Sequence, residues 1–176
     1  MVLNAKELRV SHPKAEDLSQ IRRNPLVIVL DGILDTFNIG SFFRLADAVA
    51  AEKIILCGPT VTPPNIKIHR ASVGTWKWVP WEQQRSAVPT ILRLKKEGYQ
   101  TIAIEQTKKS TPYHLVKYPK KLALVLGNES DGISPAVLKV VDQKVEIPML
   151  GINRSLNVLV SASAVIYHYL ESTKTF

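Results

Sequence analysis

The sequence predicts an α/β domain: a mostly parallel sheet flanked by helices. Three observations predict it. Apolar, β-branched runs of strand length, such as Leu26–Leu30 and Leu122–Leu126, show no polar alternation, as strands buried on both faces require. Segments with helical periodicity separate these runs. Loops bearing glycine and asparagine follow the strands around Asn38-Ile39-Gly40, Gly127-Asn128-Glu129 and Pro148–Asn157.

Taken in order, residues 1–24 form a short N-terminal segment with scattered apolar positions (Leu8, Val10, Leu18, Ile21). A short helix over Ala15–Arg23 is expected, ended by Asn24-Pro25. A single domain over 25–176 follows. Leu26–Leu30 reads as a central strand, and the loop from Asp31 leads to a helix over Gly40–Ala51. Phe42, Leu45, Ala46 and Val49 form its buried stripe, with Arg44 off that stripe. Lys53–Cys57 is a second strand, and Asn65–Val73 a short helix. Trp76–Trp81 alternates like a strand, and its tryptophans read as core and interface residues. Ser86–Glu97 is an amphipathic helix stopped by Gly98. Tyr99–Ile104 and Leu122–Leu126 are two more buried strands, separated by the polar, basic stretch Gln106–Lys121. Ser134-Pro135 opens a helix to Val141, with proline at its tolerated first position. The strand Val145–Ile147 stops at Pro148, a turn carries Gly151, and Ser155 stands where the N-cap of the last helix belongs. That helix start offers free N–H groups to a ligand.

Composition narrows the class. With 176 residues and 45% hydrophobic content the chain can bury a sizeable core. Charged residues interrupt every apolar run before membrane-spanning length, and Met1–Glu7 lacks the apolar core of a secretory signal. Cys57 is alone, which points to a reducing cytoplasm and a buried thiol. A net charge of +8 favours a polyanionic partner. The loop after Leu30 lacks a dinucleotide fingerprint, and Ile133 stands where a phosphate-binding loop needs lysine. His12, His69, His114 and His168 share no metal-ligand spacing, so no metal is expected.

Three motifs remain, in order. They are Asn38-x-Gly40 with Arg44; Leu126-Gly127-Asn128-Glu129 with Gly132; and Ile147-Pro148-Met149-x-Gly151 followed by Ser155-Leu156-Asn157-Val158. Together, across residues 26–170, they resemble the SpoU/TrmH family of RNA 2′-O-ribose methyltransferases, part of the SPOUT class.

The resemblance implies a deep trefoil knot in the C-terminal part, S-adenosyl-L-methionine as cofactor, a homodimer, and RNA as substrate. It implies cofactor contacts from Ile104, Glu105, Leu126, Gly127, Asn128, Ile147, Met149, Gly151, Ser155, Leu156 and Asn157. It implies catalytic roles for Arg44, Asn38, Glu129, Ser155 and Asn157. Arg44 either gives up its proton in a special environment and serves as base, or orients ribose and phosphate. Lys67, Arg70 and Arg154, with Arg44, are the expected RNA-binding side chains. The neighbourhoods of Glu105-Gln106-Thr107 and Arg154–Asn157 resemble the tRNA branch acting on a guanosine ribose. Ribosomal RNA is the alternative, and a catalytically inactive RNA-binding or assembly subunit a third reading. Each motif also has a purely structural reading: Asn38 as a helix cap, the glycines as turn formers, and Arg44 as an ordinary exposed helix residue.

Overall fold

In a computed structural model, the chain is described at Glu7 and residues 13–174. Leu8, Val10 and most of the N-terminal segment before Pro13 lie outside the described residues. Seven strands are described: β1 (Asn24–Asp31), β2 (Ala51–Cys57), β3 (Trp81–Gln84), β4 (Gln100–Ile104), β5 (Thr111–Pro112), β6 (Leu122–Gly127) and β7 (Gln143–Glu146). They form one sheet in the order β3-β2-β1-β6-β4-β7-β5. Every pairing between these strands is parallel. Six α-helices are found among the described residues: α1 (Ala15–Ser19), α2 (Thr36–Ala48), α3 (Ile66–Ser72), α4 (Ala87–Lys96), α5 (Pro135–Val140) and α6 (Val158–Ser172).

Alternation within β1 divides the core. Leu26, Ile28 and Leu30 face one layer with Phe42, Ile68, Val165 and Ile166, so α2, α3 and α6 cover that side. Val27 and Val29 face the other with Ile91, Leu94 and Val137, so α4 and α5 cover it. Both faces of β1 are therefore closed, which is why its apolar run is unbroken.

Several boundaries differ from the sequence expectation. The first helix is only Ala15–Ser19, because the chain must already be extended at Asn24 to join the sheet. Helix α2 begins at Thr36 instead of Gly40, because Asp35 caps it: its Oδ1 accepts from the Phe37 N–H at 2.8 Å. Gly40 then lies inside the helix, where a Cβ would sit 2.5 Å from the Ala71 Cβ and 2.7 Å from the Ile68 carbonyl of α3. Its missing side chain permits that helix–helix approach and forms no turn.

Trp76–Trp81 does not form one strand. Val73 and Gly74 are both left-handed, and they turn the chain into a 3₁₀ turn over Thr75–Lys77 before β3 begins at Trp81. Trp78 donates its indole N–H to Asp47 at 2.7 Å, and Trp81 packs edge-on to Phe43. The stretch after Gln106 contains the two-residue strand β5, too short to leave a periodic signal. β7 ends at Glu146, one residue before the expected Ile147. The last helix is capped by Asn157, whose Oδ1 accepts from Leu159 N at 2.9 Å and Val160 N at 3.4 Å. Ser155 is not the cap; its own N–H donates to Asn153 Oδ1 at 3.2 Å.

Candidate active site

In a parallel sheet the loops beyond the carboxyl ends of neighbouring strands open on the same side, and ligands bind there. Here the segments after β4, β6 and β7 converge on a groove of about 560 Å³. That volume is within the range of small-molecule sites, roughly 300–1,000 Å³. Ile104, Leu126, Ile147 and Leu156 supply apolar wall. Glu105, Gly127, Asn128, Met149, Ser155 and Asn157 also line it. Gly151 does not: it is exposed with open space around it, between the fully exposed Leu150 and Ile152. The turn it makes carries the chain past the groove rather than into it. The groove also takes in Gln106, Ser130, Glu146, Asn153 and Ser161, which were not among the expected cofactor contacts. Ser161 follows Asn157 by four residues, so helical spacing alone would have placed it on the same face.

Gly127 is required by the fold of its loop. The chain doubles back so tightly that a Cβ there would collide with the backbone of Gly132 and Ile133. Asn128 N–H donates to the Gly132 carbonyl at 3.1 Å and Gly132 N–H to the Asn128 carbonyl at 2.9 Å. Asn128 Nδ2 reaches the Gly32 carbonyl just past β1 at 2.8 Å, while its Oδ1 accepts from Ser130 N and Asp131 N. This packing turns Glu129 outward at the rim.

The three motifs meet through one chain of hydrogen bonds. Asn157 Oδ1 is fixed by its helix-capping bonds, since only an oxygen can accept them. Its Nδ2 therefore donates, to Asn38 Oδ1 at 3.2 Å. Asn38 Nδ2 in turn donates to Glu129 Oε1 at 2.8 Å. Backbone N–H groups at one end and a carboxylate at the other dictate both amide orientations. Asn38 is 5% exposed, so its amide has little access to water as an alternative partner. It is a buried link between Glu129 and the start of α6, and not a cap.

Arg44 lies one helical turn beyond Gly40, exposed, and outside the groove lining. It makes no hydrogen bond or ion pair among the described residues, so its guanidinium is free to meet a phosphate or ribose. Lys67 and Arg70 are exposed on α3, which packs against α2 through Gly40, Ala71 and Ile68. Arg154 lines the groove itself. Among the described residues, no cluster of three or more His, Cys, Asp or Glu has metal-holding geometry.

Residues 25–167 match the SpoU rRNA Methylase family. A tRNA (guanosine(18)-2′-O)-methyltransferase of Aquifex aeolicus is 30% identical over 168 residues, 95% of this chain and 79% of that protein. A 23S rRNA (guanosine-2′-O-)-methyltransferase of Neisseria meningitidis is 32% identical over 157 residues, covering 89% of this chain. This chain spans only 62% of that second protein. Among solved structures, the A. aeolicus TrmH/SpoU tRNA modifying enzyme superposes with a TM-score of 0.81 at 28% identity, covering 97% of this chain and 83% of its own. The SpoU methyltransferase AviRb of Streptomyces viridochromogenes, solved with AdoMet, gives 0.77 at 26% identity, covering 93% and 67%.

Proposed function

Because the chain belongs to the SpoU methylase family, we propose that it is an S-adenosylmethionine-dependent RNA methyltransferase acting on a ribose 2′-hydroxyl. The observation that carries this is the hydrogen-bond chain Glu129–Asn38–Asn157, which joins the three motifs at one groove.

The groove suits such a cofactor. Ile104, Leu126, Ile147 and Leu156 offer apolar surface to an adenine, and the glycine-bearing loop around Gly127 brings backbone close to its polar edges. When bound, S-adenosylmethionine supplies an activated methyl on a sulfonium, which a ribose oxygen attacks as the carbon–sulfur bond breaks. The protein's task is alignment and removal of the hydroxyl proton. Asn38 holds Glu129 at the rim, Asn157 fixes the start of α6, and Ser155 lines the groove. Arg44 brings a guanidinium to the ribose or its phosphate. Lys67, Arg70 and Arg154 supply the sequence-independent phosphate contacts that position an RNA.

The finer parts of the proposal are four. The RNA is tRNA and the nucleotide a guanosine, supported by the match of the Aquifex relative over 95% of this chain; the Neisseria relative keeps ribosomal RNA as the second reading. The segment 147–157 is threaded as a trefoil knot, a reading supported by its convergence with the β4 and β6 loops on one groove. The enzyme is a homodimer, supported by the exposed apolar side chains Phe37 on α2 and Val160 and Tyr167 on α6. It works in the cytoplasm, consistent with the unpaired Cys57.

Calorimetric titration with S-adenosylhomocysteine, then labelled methyl transfer to bulk tRNA and to ribosomal RNA beside Arg44→Ala, tests the reading. Binding, with transfer to tRNA that the variant loses while still binding the ligand, is the expected result. Absence of binding by the wild type refutes it.

A further inference from the structure

The loop from Gly127 to Ile133 delivers Glu129 to the groove, and its two ends are held differently. Asn128 ties one end to the Gly32 carbonyl past β1. The other end is held by Glu105, the first residue after β4. Its Oε2 accepts from the Ile133 N–H at 2.8 Å, and its Oε1 from the Gln106 N–H at 3.1 Å. Ile133 is only 3% exposed, so its N–H has little water to turn to if the carboxylate leaves. Gly132, at φ +68°, passes so near that a Cβ would stand 2.5 Å from Glu105 Oε2. The loop therefore closes over the carboxylate itself. Glu105 is also fixed through its backbone: its N–H donates to the Val145 carbonyl at 2.9 Å, and its carbonyl accepts from Ser110 Oγ at 2.6 Å.

Both carboxylate oxygens are thus engaged by backbone donors, and such charge-assisted bonds are the stronger kind. We infer that Glu105 is a positioning residue: its carboxylate clamps the 127–133 loop against the β4 end, shaping the cofactor groove and setting where Glu129 stands. The sequence resemblance implied direct cofactor contact by this residue; the geometry assigns it an indirect role. The inference rests on the methyltransferase reading, and its test separates the two.

The variants are Glu105→Gln and Glu105→Ala, with S-adenosylhomocysteine and an analogue lacking the ribose hydroxyls as calorimetric probes. Methyl-transfer kinetics and thermal midpoints are measured alongside. Glu105→Gln keeps one oxygen for the Ile133 N–H and is expected within about threefold of wild type in affinity. Glu105→Ala strands that N–H, and affinity should fall about tenfold, with kcat falling as well because Glu129 moves with the loop. The factor should be the same for both probes, since a positioning residue does not touch the ribose. Unchanged affinity and kcat in Glu105→Ala overturns the inference. So does a Glu105→Gln loss equal to that of Glu105→Ala, or a loss seen with S-adenosylhomocysteine and absent with the deoxy probe, which marks a direct ligand. Should Glu105→Ala not fold, Gly132→Ala displaces the same carboxylate from the loop side and must weaken both probes equally; full affinity there overturns the inference too. Wild-type protein that binds neither probe refutes the methyltransferase reading itself.

Discussion

Replacing Asn38 with aspartate changes one atom of consequence. Nδ2, which donates to Glu129 Oε1 at 2.8 Å, becomes a carboxylate oxygen. Oδ1, which accepts from Asn157, can stay as it is. Two carboxylates would then face one another at hydrogen-bond distance. Their repulsion is roughly 6 kcal/mol at an effective dielectric of about 20. Solvent at the exposed Glu129 reduces it to a few kcal/mol. Keeping one proton on the pair costs about 1.4 kcal/mol for each pH unit above an ordinary aspartate value of about 4. That is about 5.5 kcal/mol at pH 8 and about 2.7 at pH 6. At pH 8 the pair is driven apart, and near pH 6 it shares a proton and recovers a hydrogen bond. Raised proton affinity means that function returns as pH falls, so the sign is unambiguous. Methyl transfer by Asn38→Asp, expressed as a fraction of wild type at the same pH, should be down about 100-fold at pH 8, about 3 kcal/mol. It should recover about tenfold by pH 6. Asn38→Ala, with no titrating group, should lose a comparable factor without recovery. A flat ratio for Asn38→Asp, or full activity at pH 8, would refute the claim that Asn38 and Glu129 act as a hydrogen-bonded unit.

Three further outcomes follow from packing and burial. Gly40→Ala pushes a Cβ into the backbone of α3, including Ser72 N at 3.0 Å, and should cost about 3 kcal/mol, a midpoint drop of about 6–12 °C by calorimetry. Asp142→Ala strands the backbone N–H and hydroxyl of fully buried Thr101, both bonded to its carboxylate at 2.8 Å, and should cost about 2 kcal/mol at pH 7. Burial pushes the Asp142 carboxyl up, but the bonds from Lys95 and Thr101 together outweigh it and hold the group below its usual range. Its contribution is therefore complete above the unfolded value near 4 and is lost as pH falls through the lower folded value, so the wild-type advantage should shrink only in strong acid. Burial pushes the Cys57 thiol up to about 11, against a weak opposing bond to Thr90, so a disulfide reagent at pH 8 should label it only after denaturation.

Much of this architecture was legible in the chain, for identifiable reasons. Leu26–Leu30 and Leu122–Leu126 read as strands because burial on both faces leaves no polar alternation to confuse them. The end of α4 was legible because the left-handed stop at Gly98 is local chemistry. What escaped was set by partners distant in sequence. Gly40 looked like a helix boundary, but it answers to Ala71 on α3, and Asp35 is the true cap. Ser155 and Asn157 are both competent caps, and the choice fell to Asn157 because its amide also meets Asn38. The tryptophan stretch alternated like a strand until left-handed Val73 and Gly74 turned it. The motifs identified the groove, yet spacing could not reveal that Gly151 stands outside it or that Glu105 spends its oxygens on backbone.

The central claim is that this groove and its buried amide chain serve methyl transfer to a ribose oxygen of RNA. Its most direct test is to incubate the protein with S-adenosylmethionine and unmodified tRNA, digest the RNA, and identify the modified nucleoside by mass spectrometry. The account predicts a ribose-methylated nucleoside, 2′-O-methylguanosine, that is absent with Arg44→Ala. A methyl group on a base, or no methylated nucleoside from tRNA or ribosomal RNA despite cofactor binding, would contradict it.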